Sequence, residues 1–179
     1  MSRTEIEQEL QGKGDFVQID YLIRFLKENP VLEIKKFCFL KLAELYENVK
    51  MFNEAAKMYE GAAGISIAFT EKIKNYLKET ELYIKAGSFD KADFATKKAL
   101  AEANTRETEE IYATVKRFYR DKAETFEKEM KKNHAAKTYE KMLELRLSEQ
   151  ERKEIREKLM DIYKELGRNR EYMLLERGL

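Results

Sequence analysis

The 179-residue sequence has little that interrupts a helix. It contains one proline, seven glycines, one cysteine and no tryptophan. Because proline and glycine are the residues least compatible with a helix interior, their scarcity favours long helices joined by short turns. A single cysteine excludes an internal disulfide. Since disulfide-free chains are typical of reducing compartments, we expect a cytoplasmic protein.

The sequence also lacks a surplus of either charge and any long apolar run. Residues 1–100 carry 16 basic and 16 acidic side chains, and the remainder carries 19 and 18. Without a basic surplus, no nucleic-acid partner is predicted. The longest largely apolar runs, Phe37–Leu40 and Ile65–Phe69, are too short to cross a bilayer. We therefore expect no membrane insertion, and the N-terminal residues have no apolar signal core.

The residue types that build reactive sites are equally sparse. His134, the one histidine, lies in a predicted turn, and Cys38 stands between Phe37 and Phe39 on an apolar helix, as a buried packing thiol does. No glycine-rich phosphate loop, EF-hand spacing or paired-histidine metal motif occurs. We expect no enzymatic activity, no catalytic residue, no metal site and no cofactor.

What the chain does have is a recurring spacing of three, nine, four and three residues. It occurs three times, in Ala43, Tyr46, Ala55, Tyr59 and Ala62, in Thr80, Tyr83, Ala92, Thr96 and Ala99, and in Ala123, Phe126, Ala135, Tyr139 and Met142. A small residue and an aromatic three positions later share one helix face. A second small residue, beyond a turn, lets the next helix approach closely. The spacing predicts a repeated pair of antiparallel helices.

Weaker copies of the spacing flank these three. The N-terminal copy is Ile6, Leu10, Ile19, Ile23 and Leu26, and the C-terminal copy is Met160, Tyr163, Tyr172, Glu176 and Leu179. The first positions of the five units are Glu7, Ala43, Thr80, Ala123 and Met160, which are 36, 37, 43 and 37 residues apart. The repeat therefore covers nearly the whole chain.

These residues resemble the tetratricopeptide-repeat (TPR) family, whose helix–turn–helix units have roughly 34 residues. The resemblance implies an all-α, right-handed superhelical stack of about five antiparallel hairpins, that is, a TPR-like α-solenoid. It also implies one domain, residues 1–179, with units at about 1–30, 31–66, 67–104, 105–147 and 148–179. The family's tryptophan is replaced by Phe39, Tyr76 and Tyr119 in the middle units. The longer units are similar to the TPR-like repeats of soluble NSF-attachment proteins.

Local signals place several helix ends. Thr4 with Glu7, and Ser148 with Glu151, have the spacing of a capping box at a helix start. The extra residues of the longest unit predict one long helix over Thr105–Lys131. Three phenylalanines that follow predicted turns are expected to close the turn ends of their hairpins: Phe16, Phe52 and Phe89.

The candidate binding residues are a column of acids. The residue after the first position is acidic in the four later units: Glu44, Glu81, Glu124 and Asp161. The resemblance implies that this column faces the concave surface of the stack, where carboxylates favour a basic or amide-rich segment. Leu40 and Leu77, one turn earlier, would supply an apolar anchor. The alternative is ordinary intrahelical ion pairing with the lysines three residues before the acids, Lys41, Lys78 and Lys158.

The expected function is a non-catalytic adaptor or scaffold that binds a protein or peptide segment, basic and with an apolar anchor. The alternative is a structural, self-assembling helical protein whose terminal helices drive oligomerisation. Tyr172–Leu175 has no polar capping helix after it, and solenoids need such a cap. This edge would then be buried in a homodimer or against the partner. A regulator that binds nucleic acid is disfavoured by the balanced charge.

Overall fold

The computed structural model describes residues 1–178, which form ten helices and no strand. The all-α prediction is confirmed. The helices are α1 (Arg3–Leu10), α2 (Asp15–Lys27), α3 (Leu32–Asn48), α4 (Phe52–Ile65), α5 (Phe69–Lys85), α6 (Phe89–Ala101), α7 (Thr105–Lys128), α8 (Lys132–Met142), α9 (Glu149–Glu165) and α10 (Asn169–Arg177).

The first helix begins with a capping box, but not with the predicted one. The Ser2 hydroxyl accepts from the Glu5 amide at 3.3 Å, and the Glu5 carboxylate accepts from the Ser2 amide at 2.7 Å. Thr4 and Glu7 have the same spacing two residues later. They already lie inside the helix, because the earlier pair satisfies the free amides first.

Two other helix starts show the same chemistry. Ser148 and Glu151 form the predicted box at α9, with bonds of 3.2 and 2.7 Å. Asn104 and Glu107 form one at α7 that the sequence analysis did not identify, with bonds of 3.0 and 2.9 Å. The predicted long helix is confirmed: α7 has 24 residues and ends at Lys128.

Four turns between paired helices share one backbone geometry. The residue seven after the first position has a positive φ in each: Lys50 (60°), Gly87 (75°), Met130 (57°) and Gly167 (67°). The amide of the following residue donates to the carbonyl five residues before it, at 2.8 to 2.9 Å. This is the Schellman motif that ends many helices. Its recurrence at one register position shows that four helical pairs turn in the same way.

The repeated small residues form the core, as predicted. Nine register positions have no exposed surface: Ala43, Ala55, Ala62, Thr80, Ala92, Ala99, Ala123, Ala135 and Met142. The prediction for Phe16 is wrong, because this side chain is 68% exposed, whereas Phe52 and Phe89 are half-buried. The left-handed residue of the first turn is Gly12, two register positions earlier than in the other turns. Phe16 therefore does not occupy the place of Phe52.

The chain divides into two compact units, Met1–Ile111 and a second that begins at Tyr112, within α7. In the first unit α2 packs on α3, α3 on α4, α4 on α5, and α5 on α6. In the second, α8 packs on α9, and α9 on α10. The single repeat domain and its five hairpins stay a prediction.

Both units contain the same inter-helix ion pair, which the sequence analysis missed. Lys36 of α3 contacts Glu71 of α5 at 2.9 Å, and Lys116 of α7 contacts Glu151 of α9 at 2.7 Å. The lysines share one register position and the glutamates another. In each unit, an ion pair at equivalent positions therefore joins the first helix of one helical pair to the first helix of the next pair.

Candidate functional site

Leu40 and Glu44, the predicted site residues of α3, line one groove of about 480 Å³ between α1 and α3. Its apolar lining is Ile34, Phe37 and Leu40, and its charged lining is Arg3, Glu7, Glu33, Lys36, Lys41 and Glu44. The three apolar side chains are half-buried. The Arg3 guanidinium lies over the Phe37 ring, 4.8 Å from its centre. The groove combines an apolar floor with charges of both signs.

The lysine and arginine side chains of this groove are paired within the chain. Arg3 contacts Glu7 at 3.0 Å, and the expected pair of Lys41 with Glu44 forms at 2.9 Å. The Glu44 side chain is 60% exposed. Since such an exposed ion pair contributes at most about 1 kcal/mol, a ligand cation can compete for the Glu44 carboxylate.

Glu81, the matching acid of α5, is held more firmly. Lys78 contacts its carboxylate at 3.0 Å and Lys85 at 2.7 Å, and the side chain is 19% exposed. Burial would raise the pKa of Glu81, but the hydrogen bonds and charges of Lys85 and Lys78 outweigh it and lower the pKa. Leu77, one turn earlier, is half-buried. Glu81 is therefore an ionised acceptor whose position is fixed by two lysines.

The structure brings Glu44 and Glu81 to a common neighbour, Tyr59 of α4. The Tyr59 hydroxyl donates to Glu47 at 3.2 Å. Burial, then the hydrogen bond and charge of Glu47, and then the charges of Glu81 and Glu44 raise the pKa of Tyr59 to about 12. The charges of two of the four predicted acids thus both act on Tyr59 in the first unit.

Glu124 and Asp161 lie in the second unit. Glu124 is half-buried on α7, and its charge adds to burial and Glu127 in raising the pKa of Tyr139. Asp161 is exposed on α9 and lines a cavity of about 360 Å³. The expected pair of Asp161 with Lys158 is wrong. Lys158 instead lies 3.7 Å from Glu127 and donates to the Tyr139 hydroxyl at 3.2 Å.

The structure also contains a buried polar cluster that sequence reasoning missed. Glu79 of α5 is 1% exposed and accepts from Lys98 of α6 at 2.7 Å. Lys98 also donates to Glu60 of α4 at 2.8 Å. The available signal was the repeat itself, because Leu42 occupies the register position of Glu79 in the preceding unit. A charged side chain at a position where the preceding unit has a buried leucine is not explained by packing alone.

The two residues weighed as reactive groups have ordinary surroundings. Cys38 is fully buried, and burial raises the pKa of its thiol to about 11, which keeps it protonated as a packing thiol. His134 is exposed near the start of α8, with its ring 5.2 Å from Phe126. Among residues 1–178, no three histidine, cysteine or acidic side chains are grouped to hold a metal ion.

Within the same residues, no helix is both long and apolar enough to cross a membrane. Comparison with known proteins found no family model that matches the chain and no matching curated protein.

Proposed function

We propose that the chain is a non-catalytic adaptor or scaffold with a TPR-like stack of helical pairs. It binds a protein or peptide segment on the surface formed by the first helix of each pair. The stack is a right-handed superhelix of about five helical pairs. The bound segment is basic and carries an apolar side chain. Its binding residues are Leu40, Glu44, Leu77, Glu81, Glu124 and Asp161.

One observation supports this proposal most: Leu40 and Glu44 line the same groove. An apolar floor beside an exposed carboxylate suits a side chain such as leucine followed by a cation. The charges of Glu44 and Glu81 both act on Tyr59, which supports a joint contribution of the two acids to binding. The intrahelical lysines offset part of this negative charge, so we expect moderate affinity.

The experiment begins with affinity capture from the native lysate and identification of the bound protein by mass spectrometry. The captured partner is then titrated against wild type and against the triple variant Glu44→Gln, Glu81→Gln and Glu124→Gln. Because each exposed pair contributes about 0–1 kcal/mol, we expect several-fold weaker binding and a flatter salt dependence. Circular dichroism should show an unchanged helical fold.

A matched control removes three acids from elsewhere on the chain. Glu54, Glu110 and Glu157 pair with lysine or arginine of their own helices. Their change to glutamine alters the net charge equally. If both triple variants bind with wild-type affinity at low and moderate salt, the acidic column is ordinary surface charge and the proposal fails.

The alternative proposal is self-assembly through the terminal helices. It is favoured by α10, which has no buried residue and leaves Met173 and Leu174 50% and 62% exposed. In this case the last helix is covered by a second copy of the chain. The oligomeric state separates the two proposals.

A further inference from the structure

The buried polar cluster joins three consecutive helices of the first unit. One oxygen of Glu79 accepts from the Lys98 ammonium, which also donates to Glu60. The cluster therefore holds two acids and one base between α4, α5 and α6. Glu79 has only 2% of its side chain exposed, whereas Glu60 has 48%. Glu79 accepts its hydrogen bond from Lys98 within the core, whereas Glu60 is exposed enough to bond with water as well.

Hydrogen bonding in the cluster is incomplete. The second oxygen of Glu79, Oε2, is buried without a hydrogen-bond partner among the described residues, and so is Nδ2 of Asn75. Asn75 is 4% exposed and lies one helical turn before Glu79. A buried oxygen without a donor costs more free energy when the carboxyl is ionised than when it is neutral. The surroundings therefore favour protonated Glu79.

The other units show that this position accepts an apolar residue. The register position of Glu79 holds Ile6, Leu42 and Leu159, none of which is more than 1% exposed, and half-buried Lys122 in the fourth unit. The position of Asn75 holds buried Cys38 and Ile155. Packing at this place in the repeat needs neither a charge nor an amide. Glu79 is the one acid at its register position, and it is buried as deeply as the apolar residues that stand there in three other units.

Lys98, the hydrogen-bond partner of Glu79, occupies a register position that varies between the helical pairs. Its register position in the preceding pair is Gly61, where an added Cβ would lie 3.1 Å from the Phe39 ring. In α6 the ammonium of Lys98 instead lies 5.0 Å from the centre of the equivalent ring, Tyr76. In α8 the same position also holds a base, Lys141, but the register position of Glu79 there holds Lys122, so the α5–α6 pair is the one that combines the base with an acid.

We propose that Glu79, Lys98 and Glu60 form a proton-responsive latch, which holds α5 tightly against α4 and α6 when Glu79 is protonated and loosens when Glu79 ionises. The charged groups that face Glu79 are Lys98 from α6 and Glu60 from α4. Tyr83 lies one turn further along α5, and its pKa is raised to about 12, first by burial and then by the charge of Glu79. The latch does not depend on the proposed peptide binding.

The direction of the response follows from the proton affinity of Glu79. Burial raises the pKa of Glu79 to about 7, although the hydrogen bond and charge of Lys98 oppose the change and only the charge of Glu60 adds to it. In an opened junction the carboxyl returns toward its ordinary value of 4.5. The closed form therefore binds the proton more tightly, and its advantage is lost as the pH rises from about 4.5 to about 7.

The test measures the carboxyl group and the opening of the junction separately, in the full chain. Carbon-13 NMR of the glutamate side chains gives the titration midpoint of Glu79, which we expect near neutral pH. Amide hydrogen exchange, corrected for the intrinsic rate, reports how often α6 separates from α5. We expect its protection to fall about 10-fold or more between about pH 5.5 and about pH 8.

Three variants make the test specific. Glu79→Gln should keep α6 protected at both pH values. Glu60→Gln should retain the pH dependence but lower its midpoint, because one repelling charge is gone. Glu79→Leu copies Leu42 and should fold without pH dependence even where the glutamine variant does not. A Glu79 midpoint near its ordinary value, or an equal pH dependence in E79Q and wild type, overturns the proposal.

Discussion

The helices α6 and α10 are both second members of a helical pair, yet their burial is opposite. Ala92, Ala95 and Ala99 of α6 have no exposed surface. Within α10 no residue is buried, and the register position of Ala92 is taken by Tyr172, which is half-buried. α6 contacts α5 and also reaches α4 through Lys98.

The comparison identifies the role of the small residues in the repeat. An alanine is kept where another helix approaches closely, and a tyrosine is accepted where the neighbouring surface is open. Both sequences are helical, so the distinction does not concern helix formation. It concerns the distance to the next helix, which sets the side-chain volume that fits.

The largest effect expected from this comparison is at Ala92. Its change to leucine should overpack the contacts of α6 and destabilise the chain by about 1–3 kcal/mol. Urea unfolding followed by circular dichroism measures the change. Ala101 of the same helix is exposed and supplies the control, since Ala101→Leu should change the stability by less than about 0.5 kcal/mol. Equal stabilities of the two variants would show that the register assignment is wrong.

An intermediate effect is expected at the shared turn. Gly87 and Met130 occupy the same left-handed position, with φ of 75° and 57°. Since only glycine adopts it without strain, Gly87→Ala should cost about 1 kcal/mol, and Met130→Gly should gain up to about 1 kcal/mol. Thermal unfolding of both variants tests the pair.

The control for the turn is Gly64, a glycine inside α4. A Cβ added there meets nothing within 4 Å. Gly64→Ala should therefore stabilise the chain by about 0.5–1 kcal/mol through helix propensity. If Gly64→Ala and Gly87→Ala shift the melting temperature in the same direction, the difference in backbone conformation is not what decides their effects.

The smallest effect on stability is expected at α10. Leu174→Lys replaces a side chain that is 62% exposed and should change the free energy of unfolding by less than about 0.5 kcal/mol. Under the self-assembly alternative it should instead reduce the sedimentation coefficient at high micromolar concentration. A wild-type chain that is strictly monomeric there would remove that alternative.

Much of the fold could be predicted because its signals are local. The pairs α3–α4 and α5–α6 follow from apolar spacing and turn residues. The turn at Lys50 was harder to recognise, since no glycine marks it. Its left-handed backbone follows from the register it shares with Gly87.

Less of the candidate site could be predicted. Leu40 and Glu44 meet in a groove that also needs α1, which no spacing within α3 reveals. Lys158 has Asp161 within reach on its own helix but contacts Glu127 and Tyr139. Its choice depends on acceptors that other helices bring close.

The helices, their turns and the columns of small residues follow from the amino-acid sequence alone, because each depends on residues within a few turns of one another. Which polar groups are buried, and how they pair, depends on the packing of the helices. Lys36 meets Glu71, and Glu79 loses contact with water. Burial and long-range pairing require a second helix close by, and the position of that helix cannot be read from the spacing of residues within either helix.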